Sequence, residues 1–278
     1  MSGSAPTPRV GVIAVSSAHG ARAHELSEQT GGAVLTAREF EQGELAGAII
    51  VDDAGLALAP SPREMPHVAP MRIDISDWET LARRPVSLKQ PLAKAVGVQS
   101  RASAPEVLDC TAGLLSDAFH LALMGCHVTA LERSPVVHAL AEDALQRAAA
   151  SPTLSAIVAR INLHRASAVD TLASIEPAAL PAVIYVDPMH PPRDRHASAL
   201  VRKEMRILRL VVGDDLDAPD LVRLALERLT DPRARVVLKL PLRAEPLPGL
   251  AIPAHVHEAK TVRYEVHKPV HALTPSNR

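Results

Sequence analysis

Short apolar runs alternate with longer polar, alanine-rich stretches along most of this chain. Residues 9–15 (RVGVIAV) are apolar and β-branched, as in a strand, and the polar stretch 19–30 that follows is typical of a helix. Two more apolar runs, 46–51 and 56–59, flank the turn sequence Asp-Asp-Ala-Gly at 52–55, in which the glycine supplies a positive φ. This part of the chain therefore predicts a small α/β unit that contains a β-hairpin.

Prolines and glycines mark the end of this unit. Several prolines between residues 60 and 70 predict a loop, and the alternating residues 71–75 that follow predict another strand. Residues 85–97 (PVSLKQPLAKAVG) predict a connection that ends in a short helix, with Gly97 near its C-terminal cap. We therefore place a small N-terminal α/β domain at residues 1–84 and a second domain at residues 85–278.

Strand and helix patterns alternate strictly in the second domain. Such alternation predicts a doubly wound, largely parallel, Rossmann-like sheet, which binds ligands at the carboxyl ends of its strands. The predicted strands are 107–109, 127–131, 161–164, 182–186, 235–240 and 261–267, and the predicted helices are 117–124, 135–149, 169–175, 198–211 and 219–229.

Composition and charge agree with a globular protein and restrict its partners. Hydrophobic residues make up 47% and charged residues 22% of the chain, whereas aromatic residues make up only 2%, so the core must be aliphatic. The formal net charge of -1 gives no globally basic surface, so a nucleic acid would have to bind a local basic patch.

The cysteines and the lengths of the apolar runs indicate the compartment. Cys110 and Cys126 are too few for a disulfide framework and lack the spacing of a zinc site. We interpret them as small buried hydrophobic residues rather than as a catalytic thiol. We predict surface or capping roles for the histidines and no metal site. No apolar run approaches the roughly 20 residues that a membrane span needs, so we expect a cytoplasmic protein without a membrane partner.

Two acids follow strands at a spacing that suits a nucleotide. Asp109 ends an apolar strand and precedes a turn of small residues, Cys-Thr-Ala-Gly, that leads into a helix. Such a turn lets a ligand approach the sheet, and the helix N-terminus offers free N–H groups. Glu132 ends the next strand, and an acid about 20 residues beyond such a turn can accept hydrogen bonds from a ribose diol. The alternative for Glu132 is a solvated carboxylate at a strand end.

A third motif follows the apolar strand at 183–186, where Asp187 enters a turn stiffened by Pro188 and Pro191. The carboxylate of Asp187 and the carbonyl of Pro188 can together face an exocyclic amine and accept both of its hydrogens. This arrangement turns the lone pair of the nitrogen toward an incoming electrophile. The alternative is an aspartate that only caps a proline-rich loop.

Basic residues are concentrated after this third motif, with few acids nearby. A basic cluster beside a strand-end site suits contacts to phosphates, which position a nucleic acid without reading its sequence. The alternative is a solvated helix face with an i,i+4 network around Glu204. The candidate residues are Arg193, Arg195, Arg202, Lys203 and Arg206, and Lys239 and Arg263 on later strands could extend the patch.

Four segments, in this order, resemble the ribosomal RNA small-subunit methyltransferase J family: 109–113 (DCTAG), 131–133 (LER), 187–189 (DPM) and 199–206 (ALVRKEMR). The last segment is specific to that family, and the first is shared by Class I methyltransferases at large. The resemblance implies a Class I fold and methylation of a guanine N2 in small-subunit (16S) ribosomal RNA, with S-adenosylmethionine as the cofactor. The partner would be this RNA, free or in the assembled 30S subunit.

The resemblance also implies roles for individual residues. Asp187 and Pro188 would hold the guanine amine, and His190 would stack on the base. The methionine part of the cofactor would be lined by Asp109, Thr111, Ala112 and Gly113, and its amino group would face Asp117. The ribose would be held by Glu132 and Arg133, and the adenine would lie near Ser167. Asp187 would also lie beside the cofactor.

Three positions depart from the family pattern. Leu115-Ser116 stands where the family has Gly-Arg, His190 where it has another aromatic residue, and residues 85–89 where it has a glycine-rich basic loop. Leu115 and His190 motivate an alternative, a catalytically degenerate methyltransferase fold that binds rRNA or the ribosome without methylating it. Methylation of another substrate, such as DNA adenine, and an NAD-linked oxidoreductase are further interpretations, although the turn after Gly113 lacks the GxGxxG pattern that an oxidoreductase needs.

Overall fold

The computed structural model describes residues 10–188, 203–213 and 218–269. These residues form two compact units. The first unit combines residues 10–75 with 134–147 and 203–213, and the second combines 76–133 with 148–188 and 218–269. The domain boundary after residue 84 stays a prediction.

Strands and helices alternate along the described residues. The strands are β1 (Val10–Ala14), β2 (Gly47–Asp52), β3 (Gly55–Pro60), β4 (Glu106–Asp109), β5 (His127–Glu132), β6 (Ile161–Arg165), β7 (Val183–Val186), β8 (Arg235–Pro241), β9 (His255–Glu258) and β10 (Val262–His267). The helices are α1 (Gly20–Thr30), α2 (Ala37–Gln42), α3 (Ile75–Ala82), α4 (Pro91–Val96), α5 (Ser116–Leu123), α6 (Pro135–Ala149), α7 (Ser155–Val158), α8 (Ala168–Ser174), α9 (Lys203–Val212) and α10 (Ala218–Arg228). In this described part of the chain, no helix is long and apolar enough to cross a membrane.

The first unit contains a three-stranded sheet in the order β1-β2-β3. β1 and β2 are parallel, and β2 and β3 are antiparallel. Gly55 lies at the turn between β2 and β3 with a φ of 105°, which glycine adopts without steric cost, so the predicted hairpin is confirmed. Ile13, Phe40, Ala48 and Ala59 form a small apolar core that joins this sheet to α2.

The predicted strand at residues 71–75 is wrong. Met71 makes a single antiparallel bridge to Leu58, with N···O distances of 2.9 and 2.7 Å, and the chain then enters α3 at Ile75. Asp77 lies in the first turn of α3, where the helix dipole stabilises a carboxylate. The alternation of apolar and polar residues in this stretch therefore corresponds to a single β-bridge followed by the start of a helix, and not to a strand.

The second unit contains a seven-stranded sheet in the order β6-β5-β4-β7-β8-β10-β9. Neighbouring strands are parallel except at β10, which is antiparallel to both β8 and β9. The largely parallel, doubly wound sheet that the alternation predicts is therefore confirmed. The edge strand β9 was not predicted, because its four residues are largely exposed and mostly polar.

The core of the second unit is aliphatic, as the composition predicts. One apolar cluster joins the sheet to α8 and α10 through side chains such as Leu172, Val222 and Leu238. Trp78 of α3 stacks on Phe119 of α5, with ring centroids 4.7 Å apart. Because β4, β5, β6, β7 and β8 are parallel, their carboxyl ends meet at one edge of the sheet.

Candidate active site

Charged side chains gather at this carboxyl edge of the sheet in the second unit. Asp109 ends β4, Glu132 ends β5, and Asp187 follows β7, the other neighbour of β4. Lys239 lies near the end of β8, which is the next strand after β7 in the sheet. The strand order thus brings together charged residues that are far apart in the sequence.

Asp109 is buried beneath the first turn, with only 1% of its surface exposed. Its Oδ1 atom accepts a hydrogen bond from the backbone N–H of Thr111 at 3.0 Å. Burial raises the pKa of Asp109 to about 7, because the bond from Thr111 only partly opposes it and the charges of Asp117 and Asp187 add to it. Asp109 therefore exchanges its proton near neutral pH.

The turn after Asp109 is held to β5 by two hydrogen bonds. The N–H of Ala112 donates to the carbonyl of Leu131, and the N–H of Gly113 donates to Oε2 of Glu132, each at 3.0 Å. Gly113 has a φ of 50°, and a methyl group added at its Cα would meet no heavy atom closer than 3.8 Å. The backbone at Gly113 is therefore not crowded, since an added Cβ would make only an ordinary van der Waals contact with the carbonyl of Thr111.

Leu115, which departs from the family pattern, caps the N-terminus of α5. Its φ of 62° lies in the left-handed region, which a leucine adopts at a cost of roughly 1–2 kcal/mol. Its side chain is fully buried, with 0% exposed. A side chain that projected into an open cleft would keep exposed surface, so the side chain of Leu115 packs into the protein interior.

The residues predicted to hold ribose and adenine lie at the ends of β5 and β6. Glu132 is buried, and its backbone carbonyl accepts a hydrogen bond from the N–H of Ala166 at 3.1 Å, which ties the end of β5 to the turn after β6. Ser167, in that turn, caps α8 by accepting a hydrogen bond from the N–H of Asp170 at 3.3 Å. The side chain of Arg133 is exposed.

The turn at Asp187 and Pro188 is joined to the first turn by Thr111. The N–H of Asp187 donates to Oγ1 of Thr111 at 2.7 Å. Pro188 is buried, whereas the side chain of Asp187 is 35% exposed. The two turns that the sequence analysis assigns to a cofactor and to a base are therefore adjacent, and the carboxylate of Asp187 is accessible.

Lys239 joins two acids of this site. Its Nζ atom donates to Oδ2 of Asp117 at 2.7 Å and to Oδ2 of Asp187 at 2.8 Å. The hydroxyl of Tyr185 also donates to Oδ2 of Asp117, at 2.8 Å. Sequence reasoning missed Lys239 and Tyr185 as members of the site, and the available signal was a polar group within each of two apolar strands.

Burial and charge set the protonation states of these groups. Burial raises the pKa of Asp187, and the ammonium of Lys239 opposes that shift by stabilising the carboxylate. Burial lowers the pKa of Lys239, but Asp187 and Asp117 outweigh it and raise this pKa above its ordinary value. Lys239 therefore stays charged. Burial also raises the pKa of Tyr185, and it raises the pKa of Tyr264 to about 12, so both phenols stay protonated.

Two of the predicted phosphate contacts are wrong. Lys239 is held by Asp117 and Asp187. Arg263 is buried, and its Nε atom donates to Oε1 of Glu265 at 2.8 Å. Because both cations are committed to carboxylates, neither extends a basic patch.

Four other predicted residues, His190, Arg193, Arg195 and Arg202, lie outside the described residues. Lys203 and Arg206 lie on α9, in the first unit. The Nζ atom of Lys203 donates to the carbonyl of Pro70 at 3.1 Å, and Arg206 is exposed. Their contacts to RNA stay a prediction.

Known proteins are similar to this chain in sequence and in fold. A family model described as a putative SAM-dependent methyltransferase matches residues 37–269. The crystal structure of a SAM-dependent methyltransferase from Neisseria gonorrhoeae superposes with a TM-score of 0.67 at 26% identity, covering 94% of this chain and 96% of its own. The chain is thus a Class I SAM-dependent methyltransferase, and S-adenosyl-L-methionine is its cofactor.

Two relatives define the family more closely. Ribosomal RNA small subunit methyltransferase J of Thioalkalivibrio sulfidiphilus is 44% identical over 230 residues, which are 81% of this chain and 87% of the relative. The protein of the same name from Pseudomonas aeruginosa (strain LESB58) is 39% identical over 262 residues, 94% of this chain and 95% of the relative. The chain belongs to the ribosomal RNA small subunit methyltransferase J family, as the resemblance in its motifs predicts.

Proposed function

We propose that this chain transfers a methyl group to N2 of a guanine in small-subunit (16S) ribosomal RNA. The observation that carries the proposal is the 2.7 Å hydrogen bond from the N–H of Asp187 to Thr111, which fixes the Asp187-Pro188 turn beside the turn at Gly113. A base amine bound at Asp187 would lie next to a cofactor bound at Gly113. Relatives named ribosomal RNA small subunit methyltransferase support this substrate.

The residues at the carboxyl edge fit S-adenosylmethionine. Glu132 offers a carboxylate to the ribose hydroxyls, and the uncrowded glycine turn at Gly113 suits the methionine part. The acids Asp109 and Asp117 suit the positive amino group of that part. When bound, the cofactor supplies an electrophilic methyl group on a positively charged sulfur. Further contacts are assigned to Thr111, Ala112, Arg133, Ser167 and Asp187.

Asp187 and Pro188 hold and orient the reacting amine. The carboxylate of Asp187 and the carbonyl of Pro188 accept the two amine hydrogens, which directs the lone pair of N2 toward the methyl group. Such orientation of two reactants is worth roughly 7–11 kcal/mol of the barrier. Guanine N2 would take up the methyl group as the bond between that methyl and the sulfonium sulfur breaks, which would leave a neutral thioether, and N2 would then release a proton to water. The proposed reaction therefore assigns no role to a metal ion.

The guanine has to leave its stack to reach Asp187. This extrusion costs a few kcal/mol, which hydrogen bonds to the base edge and stacking by His190 offset. Phosphate contacts, which position RNA without reading its sequence, are assigned to Arg193, Arg195, Arg202, Lys203 and Arg206. The substrate is the free RNA or the assembled 30S subunit, and both place the activity in the cytoplasm.

The alternative of an inert fold that only binds rRNA rests on Leu115 and His190. The side chain of Leu115 is fully buried, so it does not project into the site where a cofactor would bind. Calorimetric titration with S-adenosylmethionine separates the two functions, because an inert fold should show no heat of binding.

Mass spectrometry of small-subunit rRNA from a strain that lacks this chain tests the proposed reaction. We expect one guanine to lose a single methyl group. Complementation with the wild-type chain should restore that group, and complementation with the Asp187→Ala variant should not. Unchanged methylation of every guanine in the deletion strain would refute the proposal.

A further inference from the structure

We infer that Lys239 is a positioning residue for the base-binding carboxylate, because it bridges Asp187 to Asp117 and holds the carboxylate in one orientation. The inference rests on the proposed function, in which Asp187 accepts a hydrogen from the guanine amine. Lys239 does not itself touch the base in this account. It acts through Asp187.

The geometry of the bridge leaves part of Asp187 available. The Nζ atom of Lys239 lies 2.8 Å from Oδ2 of Asp187 and 2.7 Å from Oδ2 of Asp117. An ammonium has three hydrogens to donate, so these two bonds are compatible with one another. Among the residues that the structure describes, no donor contacts the other oxygen of Asp187, Oδ1. In the proposed reaction this second oxygen accepts a hydrogen from the guanine amine.

The register of the sheet brings the lysine to this position. Val186, the last residue of β7, pairs with Leu238 of β8, so the next residues along the two parallel strands are Asp187 and Lys239. The side chain of Lys239 is only 20% exposed. A lysine at a partly buried position on a central strand is costly unless carboxylates compensate its charge. We therefore infer that Lys239 is present for its positive charge.

The charged groups that surround Asp187 indicate what the positive charge of Lys239 does. Asp109 on β4, Asp117 on α5 and Asp187 form a cluster of three acids, and Lys239 is the cation that contacts two of them. The phenols of Tyr185 on β7 and Tyr264 on β10 also face this cluster. Like charges at short distance favour protonation of a carboxylate, and so does burial.

A protonated Asp187 would be unsuited to the proposed reaction. One of its oxygens would carry a hydrogen and act as a donor, so the carboxyl group would repel an amine hydrogen there. The ammonium of Lys239 opposes this protonation and fixes the rotation of the side chain through Oδ2. Lys239 thus increases the fraction of Asp187 that is ionised, and able to accept a hydrogen bond, at neutral pH.

The pH dependence of methyl transfer tests this role. Lys239→Met removes the charge and keeps the length of the side chain, and Lys239→Gln keeps a donor without the charge. Without the cation the pKa of Asp187 rises, so we expect kcat/KM at neutral pH to fall about 10-fold or more and the acid limb of the pH–rate profile to move up by about one unit or more. Activity should partly recover at alkaline pH. Lys239→Arg, which keeps the charge, should leave the midpoint of that limb in place.

Two further measurements distinguish the possible failures. The exposed Lys260 supplies a matched control, and Lys260→Met should not change the profile. Binding of S-adenosylmethionine, measured by calorimetry, should remain detectable in the Lys239 variants, although Lys239 also contacts Asp117, which is assigned to the amino group of the cofactor. If the wild-type chain methylates guanine and the Met and Gln variants have its pH midpoint, the inference is wrong. Loss of activity at every pH together with loss of cofactor binding would instead show a purely structural role and would also overturn it. If the wild-type chain methylates no guanine, the proposed function itself has failed.

Discussion

The hydroxyl of Thr111 accepts a hydrogen bond from the backbone N–H of Asp187, although the two residues are 76 positions apart in the sequence. Thr111 belongs to the turn after β4, and Asp187 begins the turn after β7. One side chain therefore joins the turn that we assign to the cofactor to the turn that we assign to the base.

Thr111→Val should weaken methyl transfer by removing this acceptor while keeping the shape of the side chain. An N–H group left without a partner away from water costs about 1–3 kcal/mol, which corresponds to roughly 5- to 150-fold in rate if the whole cost appears in the transition state. Single-turnover methylation of rRNA measures the effect. Thr111→Ser keeps the hydroxyl and should react at nearly the wild-type rate. Equal rates for the two variants would remove Thr111 from this role.

Asp187→Ala should separate catalysis from cofactor binding. Without the carboxylate the guanine amine loses its orientation, and misplacement of a reactant by about 1 Å costs on the order of 100-fold in rate. The affinity for S-adenosylmethionine, measured by calorimetry, should be nearly unchanged. The exposed Asp170 on α8 gives a control, since Asp170→Ala should alter neither quantity. A parallel loss of binding and activity in Asp187→Ala would indicate a structural role for Asp187.

The stability of the protein should depend on pH through Asp109. Burial raises the pKa of Asp109 from 3.8 to about 7, so the folded state binds its proton more tightly than the unfolded state does. The free energy of unfolding should therefore fall as pH rises from about 4 to about 7, and the contribution of Asp109 should level off above that range. Asp109→Asn should flatten this decline in denaturant titrations across the range. Glu106→Gln, at the exposed start of β4, should not.

At position 115 we expect a glycine variant to be more stable than an alanine variant, which is the reverse of the usual order in a helix. Both Leu115→Ala and Leu115→Gly remove a fully buried side chain and should destabilise the fold, but only glycine relieves the backbone at a φ of 62°. We therefore expect the glycine variant to be the more stable of the two by about 1 kcal/mol in denaturant unfolding.

Leu121 provides the comparison for Leu115. It is fully buried in the interior of α5, where glycine is less favourable than alanine by about 1 kcal/mol. Leu121→Gly should accordingly be less stable than Leu121→Ala. If alanine were also preferred at position 115, the strain assigned to that residue would be absent.

The sequence allowed much of this site to be predicted because acids follow apolar runs. Asp109, Glu132 and Asp187 each follow such a run, and the carboxyl ends of parallel strands share one edge. The bridge by Lys239 could not be predicted in this way. It depends on β8 lying beside β7 and on the pairing of Val186 with Leu238, and no local pattern encodes either fact.

Local structure was predictable where a single signal dominated. The glycine of the β2–β3 hairpin is such a case. The alternation of apolar and polar residues at 71–75 instead predicts a strand where the chain begins helix α3 at Ile75. Helix α2 was missed although the sequence carries its signature. Thr36 and Glu39 form a capping box, with Thr36 Oγ1 accepting from the N–H of Glu39 at 3.2 Å.

The stacked pair of Trp78 and Phe119 makes the second unit visible by fluorescence. Trp78 is the single tryptophan of the chain, and the two tyrosines, Tyr185 and Tyr264, also belong to the second unit. Indole and phenol fluorescence therefore reports the unfolding of the unit that carries the site. The first unit contributes only the weak fluorescence of Phe40. Differential scanning calorimetry detects both units, so a comparison of the two melting curves would assign each transition without cutting the chain.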